Sequence, residues 1–375
     1  MVTGKQKLTE VYFKEQEQYE KIYGKNVVVC IQMGTFYEIY GVCDKAAGIN
    51  IGKASEISKV LNLHMPRRNG KLPLSIDNPD MVGIPTTHTD RHIAILMDYG
   101  YTLVIIDEDK IEKSKRSVTN IISPSTYTPV GAYNNFLCGI YVDKQQVGVV
   151  LIDVSTGECS LDELKQGDLT WKTDELCEIV LSKNPREIHV FHTEDTGKIK
   201  DILMRVCPTK RKQVSANDVE LNNENLEKVY GKAALSPIER FGLLEYPSAT
   251  SAFVMCLDYI YAQNVDYIKG LGEPRVRDRH SLILHNSATH QLNISVGKPC
   301  LMDILDVAVT PMGSRSIRRQ LVNPMCDVKM IQREYDEIER ILTDDMYVCI
   351  MDQLDGTCDL ERLWGKTKVG KITPR

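Results

Sequence analysis

No stretch of about 18 uninterrupted apolar residues occurs in this sequence, so it lacks the usual mark of a membrane-spanning helix. The longest apolar run, IAILMDYGYTLVIID, is broken by Asp98 and Gly100 and reads as a helix, a turn and a buried strand. The first residues, MVTGKQKLTE, are polar and lack the apolar segment of a secretory signal. Eleven cysteines are present, yet none forms a CxxC pair. That scatter argues against zinc and against a disulfide framework, and it predicts reduced thiols in an intracellular compartment. No Gly-x-x-x-x-Gly-Lys-Ser/Thr phosphate loop is found, which excludes a nucleotide site of that kind. Fixed-period repeats and low-complexity tracts are absent too. So is net positive charge: 46 Lys/Arg against 51 Asp/Glu give −5, no global sign of a polyanionic partner.

What is present is a globular composition, 42% apolar and 26% charged, in a chain of 375 residues. That length predicts two or three domains of about 100–150 residues each. The charge is uneven. Between residues 45 and 75 stand Lys45, Lys53, Lys59, Arg67, Arg68 and Lys71 against a single acid, Glu56. A local basic face on an acidic chain can hold phosphate, although a solvated loop around PRRNGK is the plainer reading. His280, His285 and His290 recur every five residues, which keeps no helical face, so a structural or surface role is expected for them.

Along the chain, LTEVYFKEQEQYEKIYG predicts a helix with Thr9 as a candidate cap and Gly24 as its stop. NVVVCIQM and FYEIYG read as strands around a Gly34-Thr35 turn, and a helix is expected to begin near Thr89 before the strand YTLVIID. Residues 108–133 are polar, Ser/Thr-rich and carry two prolines, which is linker chemistry. Beyond them NNFLCGIYVD, QQVGVVLIDVSTGE and REIHVFH read as strands with the helix LTWKTDELCEIVLSK between, a second α/β domain. From about residue 236 the texture is helical: SATSAFVMCLDYIYAQN, VAVTPMGSRSIRRQLVN and DVKMIQREYDEIERILTDD. The second of these has Thr310 as N-cap and Pro311 at the first helical position. The expected domains are therefore 1–118, 119–235 and 236–375.

The segment MGTFYEIY carries the most chemistry. Read as a strand, it places Phe36, Glu38 and Tyr40 on one face and Tyr37 and Ile39 on the other. Taken alone, this is an edge strand of mixed burial. MGTFYEIY nevertheless resembles the Phe-X-Glu mismatch-reading motif of the MutS DNA mismatch-repair family, and the similarity continues in order. MVGIPTTHTDRHIAILMDYGYTLVIIDE, ISPSTYTPVGAYNNFLCGIYVD, VVLIDVSTGE, LMDILDVAVTPMGSRSIRRQL and CDLERLWGKTKVGKITPR each resemble the matching family passage. YFKEQEQYEKIYG, NPDMVGIP and ISPSTY look closest to the branch found in giant viruses and octocoral mitochondria. Gln32 stands where the family often has Arg, and Thr35 where it often has Asp, which bears on the phosphate contacts around the motif.

The resemblance implies a multidomain α/β fold. It consists of a mixed α/β mismatch-recognition domain, a connector of ribonuclease-H-like fold and the start of an all-α core or lever domain. It implies that Phe36 is an aromatic wedge and Glu38 a carboxylate facing a base, with Lys53, Arg67, Arg68 and Lys71 on the DNA backbone. The implied partner is duplex DNA with mispairs or small loops. A homodimer or related-subunit dimer is implied for an intact protein, with a MutL-like partner on the connector. The intact family also carries a DNA-dependent ATPase using ATP and Mg. No catalytic, cofactor or metal residue is expected here, and a chain stopping at ITPR reads as a fragment. A protein-interaction fragment without productive DNA binding is the alternative. A nuclease reading of the connector lacks its cluster of carboxylates: Asp153 is expected to cap a turn with Ser155 and Thr156, and Glu158 follows that turn. Arg315, Arg318 and Arg319 suggest a basic helix, but a solvated or salt-bridged face with Ile317 and Leu321 on its buried side is the expectation.

Overall fold

The computed structural model describes residues 8–44, 48–109, 116–128, 134–144, 146–165, 167–193, 197, 199–215, 218–277, 282, 288–294, 299–343 and 346–368. The chain divides into two compact units, Met1–Tyr127 and Thr128–Arg375.

The first unit contains α1 (Leu8–Tyr23), β1 (Val27–Met33), β2 (Phe36–Asp44), β3 (Ile49–Gly52), α2 (Ala54–Leu61), β4 (Asp80–Pro85), α3 (Thr89–Asp98), β5 (Thr102–Glu108) and β6 (Arg116–Ile122). Its sheet runs β3-β2-β1-β5-β6, with β4 on β2. Strand period two sends Val28 and Cys30 of β1 and Leu103 and Ile105 of β5 into one core, beneath Ile57 of α2 and Ile93 and Leu96 of α3. β1 and β5 are parallel over Val27–Ile31, while β1 meets β2 only from Ile31 onward. That leaves part of one edge of β1 without a strand, and α1 completes it. The buried Gln16 amide donates to the Val27 carbonyl at 2.9 Å and accepts from the Val29 N–H at 2.9 Å. Tyr12 donates its hydroxyl to the Val29 carbonyl at 2.9 Å. Two side chains thus satisfy backbone groups that would be costly to bury unpaired. Thr9 lies buried inside α1 and is not its cap.

β6 occupies part of the stretch with linker chemistry. It pairs antiparallel with β5, and its outward side chains face solvent, which is why its sequence reads as polar. The expected boundary after residue 118 therefore falls within a strand, and the unit closes at Tyr127.

The second unit begins with β7 (Leu137–Asp143), β8 (Gln146–Asp153), β9 (Glu158–Leu164), α4 (Leu169–Lys183), β10 (Glu187–His192), α5 (Lys200–Val206) and β11 (Lys210–Gln213). It continues through α6 (Val219–Tyr230), α7 (Pro237–Arg240), α8 (Pro247–Gln263), α9 (Val265–Lys269) and β12 (Arg275–Val276). The remaining helices are α10 (Ala288–Gln291), α11 (Leu301–Leu305), α12 (Pro311–Val322), α13 (Val328–Thr343), α14 (Met346–Leu354) and α15 (Leu360–Lys368). Its sheet order is β11-β10-β7-β8-β9-β12. β7, β8 and β9 form an antiparallel meander, and β10 is parallel to β7 and β11 to β10, the arrangement expected of a ribonuclease-H-like connector. Leu137 and Tyr141 point into one core with α8, and Cys138, Ile140 and Val142 into another with α4 and α5.

Helix α8, expected to open the helical core, instead lies on this sheet. Two glycines permit the approach: a Cβ at Gly139 would fall 2.3 Å from Cys256 Sγ, and one at Gly148 would fall 2.1 Å from the Ala249 nitrogen. Glu163 of β9 accepts from the Ser248 and Ala249 N–H groups at 2.9 and 3.1 Å, satisfying donors at the start of α8. The start of α12 is as expected, with Thr310 accepting from the Gly313 N–H at 3.1 Å and Pro311 leading the helix. Its buried residues are Ser314, Arg315 and Val322, however, while Ile317 and Leu321 are half-buried. α13 and α14 pack against each other and contain no buried residue.

Candidate nucleic-acid interface

The β1–β2 hairpin turns through Gly34 and Thr35, with Met33 opposite Phe36. Gly34 has φ +61°, and Thr35 is not among the positive-φ residues. That combination fits a II′ turn, which needs glycine at its first central position. Phe36 emerges directly from this turn and is 44% exposed. Gly83 of β4 lies beside the ring: a Cβ placed there would sit 3.5 Å from Phe36 Cδ1, an ordinary van der Waals contact. Large exposed aromatics are ordinary when single, but this one stands at the tip of a rigid hairpin braced on both sides by strands.

Two residues on, Glu38 is half-buried on the same face. Its Oε2 accepts a short hydrogen bond from the Tyr40 hydroxyl, while Oε1 makes no hydrogen bond among the described residues. Tyr40 is buried and meets Tyr12 edge-on, with ring centroids 4.9 Å apart. Burial pushes the Tyr40 phenol far above its usual range and the Glu38 carboxylate adds to this, against the opposing charges of Arg68 and Arg116. Tyr40 therefore remains a donor throughout the physiological range, and one Glu38 oxygen stays available to an incoming N–H. Tyr37 points to the opposite face, where its hydroxyl donates to Asp107 Oδ1 at 2.7 Å.

The basic side chains divide into two groups. Arg68 is exposed, with its guanidinium carbon 5.7 Å from the Tyr40 ring centroid, and Lys71 is exposed with no side-chain partner among the described residues. Lys53 is held to Glu56 at 3.1 Å with its side chain only 16% exposed. Arg67 reaches the Leu72 carbonyl at 3.2 Å and lies 3.6 Å from Asp80. Asn78 orders the loop that carries Arg67, Arg68 and Lys71. Its amide nitrogen donates to the carbonyls of Asn69, Leu72 and Pro73 at 3.0, 3.1 and 3.0 Å, and its oxygen accepts from the Asn69 N–H at 2.8 Å.

Sequence reasoning does not single out Asn78 or Arg116. Arg116 donates to Glu108 at 2.6 Å and approaches the Gln32 carbonyl at 3.4 Å, beside the hairpin. Its surroundings in the sequence read as linker, which hides it. Gln32 donates to the Gly34 carbonyl at 3.2 Å and accepts from the Glu108 N–H at 3.1 Å, so it braces the turn.

Three family models cover the chain in sequence: MutS domain I over residues 14–130, MutS domain II over 135–266 and MutS domain III over 279–375. The chain belongs to the MutS family. A putative DNA mismatch repair protein of Acanthamoeba polyphaga mimivirus, described as a MutS homologue, is 28% identical across 99% of this chain and 38% of its own length. The DNA mismatch repair proteins MutS of Caldicellulosiruptor bescii and Thermotoga maritima are each 26% identical. They match across 96% and 98% of this chain and 40% and 43% of their own lengths. The chain thus spans about two-fifths of the length of the curated relatives it matches. The hairpin, the Asn78 loop and Arg116 all fall within the MutS domain I match, and α8 falls within that of domain II.

In the second unit, Asp153 behaves as a turn cap. It is fully buried; Oδ1 accepts from the Ser155 N–H at 2.9 Å, the Ser155 hydroxyl at 2.6 Å and the Thr156 N–H at 3.3 Å, and Oδ2 accepts from the Asn135 N–H at 3.0 Å. Arg315, 3% exposed, is salt-bridged. It donates to both Asp359 oxygens at 2.7 and 2.8 Å and to Glu361 at 2.6 Å. His280, His285 and the His290 side chain lie outside the described residues. No group of three His, Cys, Asp or Glu that could hold a metal occurs among the described residues, and no helix there is long and apolar enough to cross a membrane.

Proposed function

We propose that this chain recognises mispaired or looped-out bases in duplex DNA for mismatch repair, with Phe36 as the wedge and Glu38 as the base-facing carboxylate. The observation that carries the reading is the exposed Phe36 ring at the tip of a braced hairpin, beside a carboxylate with one oxygen uncommitted. A mispaired step is less well stacked, so an aromatic inserted there kinks the duplex at lower cost than at a matched step. Glu38 accepts from a base N–H in that opened step. Matched DNA, which cannot partner the carboxylate, leaves it desolvated next to phosphates and is penalised. Arg68 and Lys71 hold the backbone without reading sequence, and Lys53 and Arg67 contribute less because internal partners already engage them.

The sequence has no Gly-x-x-x-x-Gly-Lys-Ser/Thr phosphate loop, and no step of this mechanism runs through ATP or Mg. The partners follow from the same reading: mispaired duplex, a second like or related subunit in an intact protein, and a MutL-like protein on the connector.

The test is competition binding of the 375-residue chain to labelled mismatched and matched duplexes of one length. The expected mismatch preference is modest, because smooth bending costs ~1–6 kcal/mol and few contacts offset it. Phe36→Ala should bring the ratio to one with little change in melting temperature, as the side chain is half-exposed. An undiminished ratio in a folded Phe36→Ala protein overturns the assignment.

A further inference from the structure

A cleft of about 680 Å³ lies in the second unit, between β9, the end of α4, the β12 segment and α12. Its volume falls in the range of small-molecule sites, roughly 300–1,000 Å³. Four cations line it: Lys183 at the end of α4, Arg275 in β12, Arg277 just after it, and Arg319 on α12, and Lys183 feels the charges of Arg277 and Arg319. Five acids line the cleft as well, and most of them have partners of their own. Asp327 accepts from the N–H groups of Lys329 and Met330 at the start of α13. Glu361 is held by Arg315 at 2.6 Å. Asp162 faces Arg277 at a loose 3.4 Å, and Glu158 accepts from Asn134 at 3.5 Å. Glu273 is solvent-exposed. By contrast, neither Lys183 nor Arg319 makes a side-chain hydrogen bond or ion pair among the described residues.

We infer that this cleft is a binding site for a phosphorylated small molecule, whose phosphoryl oxygens are held by Lys183, Arg277 and Arg319. The Arg277 and Arg319 guanidinium forks and the Lys183 ammonium are charged donors, and a tetrahedral oxyanion accepts from all three at once. Ile179 and Met325 offer an apolar wall for the organic part of the ligand. Lys183 feels other cations of the cleft. Burial, joined by the charges of Arg277 and Arg319, lowers it to about 8, and Glu158 alone opposes them. A concave site favours a small molecule over a duplex, whose backbone needs an open track.

Inorganic pyrophosphate is the probe, titrated into the purified chain by calorimetry and by thermal shift. Saturable binding is expected, weakened about tenfold or more by Lys183→Met and by Arg319→Gln, consistent with loss of a charge-assisted hydrogen bond. Arg319 is exposed on its helix, so Arg319→Gln should fold even if Lys183→Met does not. Pyrophosphate that fails to bind at millimolar concentration overturns the site. So does equal binding by wild type and a folded Arg319→Gln, or displacement of pyrophosphate only by duplex DNA and never by a nucleoside monophosphate.

Discussion

Glu38 is the residue whose chemistry separates mismatch reading from general DNA attraction. A carboxylate near phosphates is repelled, and its charge acts over roughly a Debye length, ~8 Å at physiological salt. Glu38→Gln should therefore raise affinity for matched duplex several-fold at low salt while lowering the mismatch-to-matched ratio. The gain should shrink as salt rises. Unchanged binding to matched duplex at low salt, measured by anisotropy, would count against a base-facing role. The amide oxygen that this substitution introduces still accepts from the Tyr40 hydroxyl, so the fold of the hairpin should persist. Much of this row was legible from strand period alone, because alternation puts Phe36, Glu38 and Tyr40 on one face in any register. What sequence could not give was the state of each group. Lys53 and Arg67 look like free cations in a basic stretch, and only the folded chain reveals Glu56 beside one and the Leu72 carbonyl beside the other.

Between elements, the Arg315 cluster ties α12 to α15 through two carboxylates. Removing one member of a buried pair typically costs ~3–5 kcal/mol, because the partner charge is left without its counter-ion. Asp359 remains partly accessible, so Arg315→Met should cost less, about 2–3 kcal/mol in urea unfolding. Burial alone would raise Asp359, but the hydrogen bonds from Arg315 and the Arg362 N–H hold it below the usual carboxylate range. A lowered folded value means the stabilisation is complete above the unfolded carboxylate range and is lost as pH falls through the folded value. The Arg315→Met deficit should therefore shrink below about pH 4. A deficit constant from about pH 7 to about pH 3 would show that the ion pair is not its source. Elements were harder to read wherever polar residues are buried with partners. β9 carries Asp162 and Glu163 in a strand interior, a pattern that argues against a strand until Arg277 and the start of α8 are seen to satisfy them. β6 hid for the opposite reason, as an edge strand with solvent-facing Ser and Thr.

Across the whole molecule, a chain of net charge −5 that binds DNA must do so through a small basic face. With Arg68 and Lys71 as its uncommitted cations, log K against log salt should have a slope of about −2, at about −0.9 per neutralised phosphate. The double variant Arg68→Gln/Lys71→Gln should remove most of that slope. A slope steeper than about −5 would mean that surfaces other than the Asn78 loop hold the duplex.

The pairing of α13 with α14 bears on how such curves can be recorded at all. Val328, Tyr335, Ile338 and Leu342 on one helix and Met346, Tyr347 and Met351 on the other all face water. A surface of that kind lowers colloidal stability without weakening the fold. The upper concentration for any titration of this chain will then be set by clouding of the sample, well before heat or denaturant reaches either sheet.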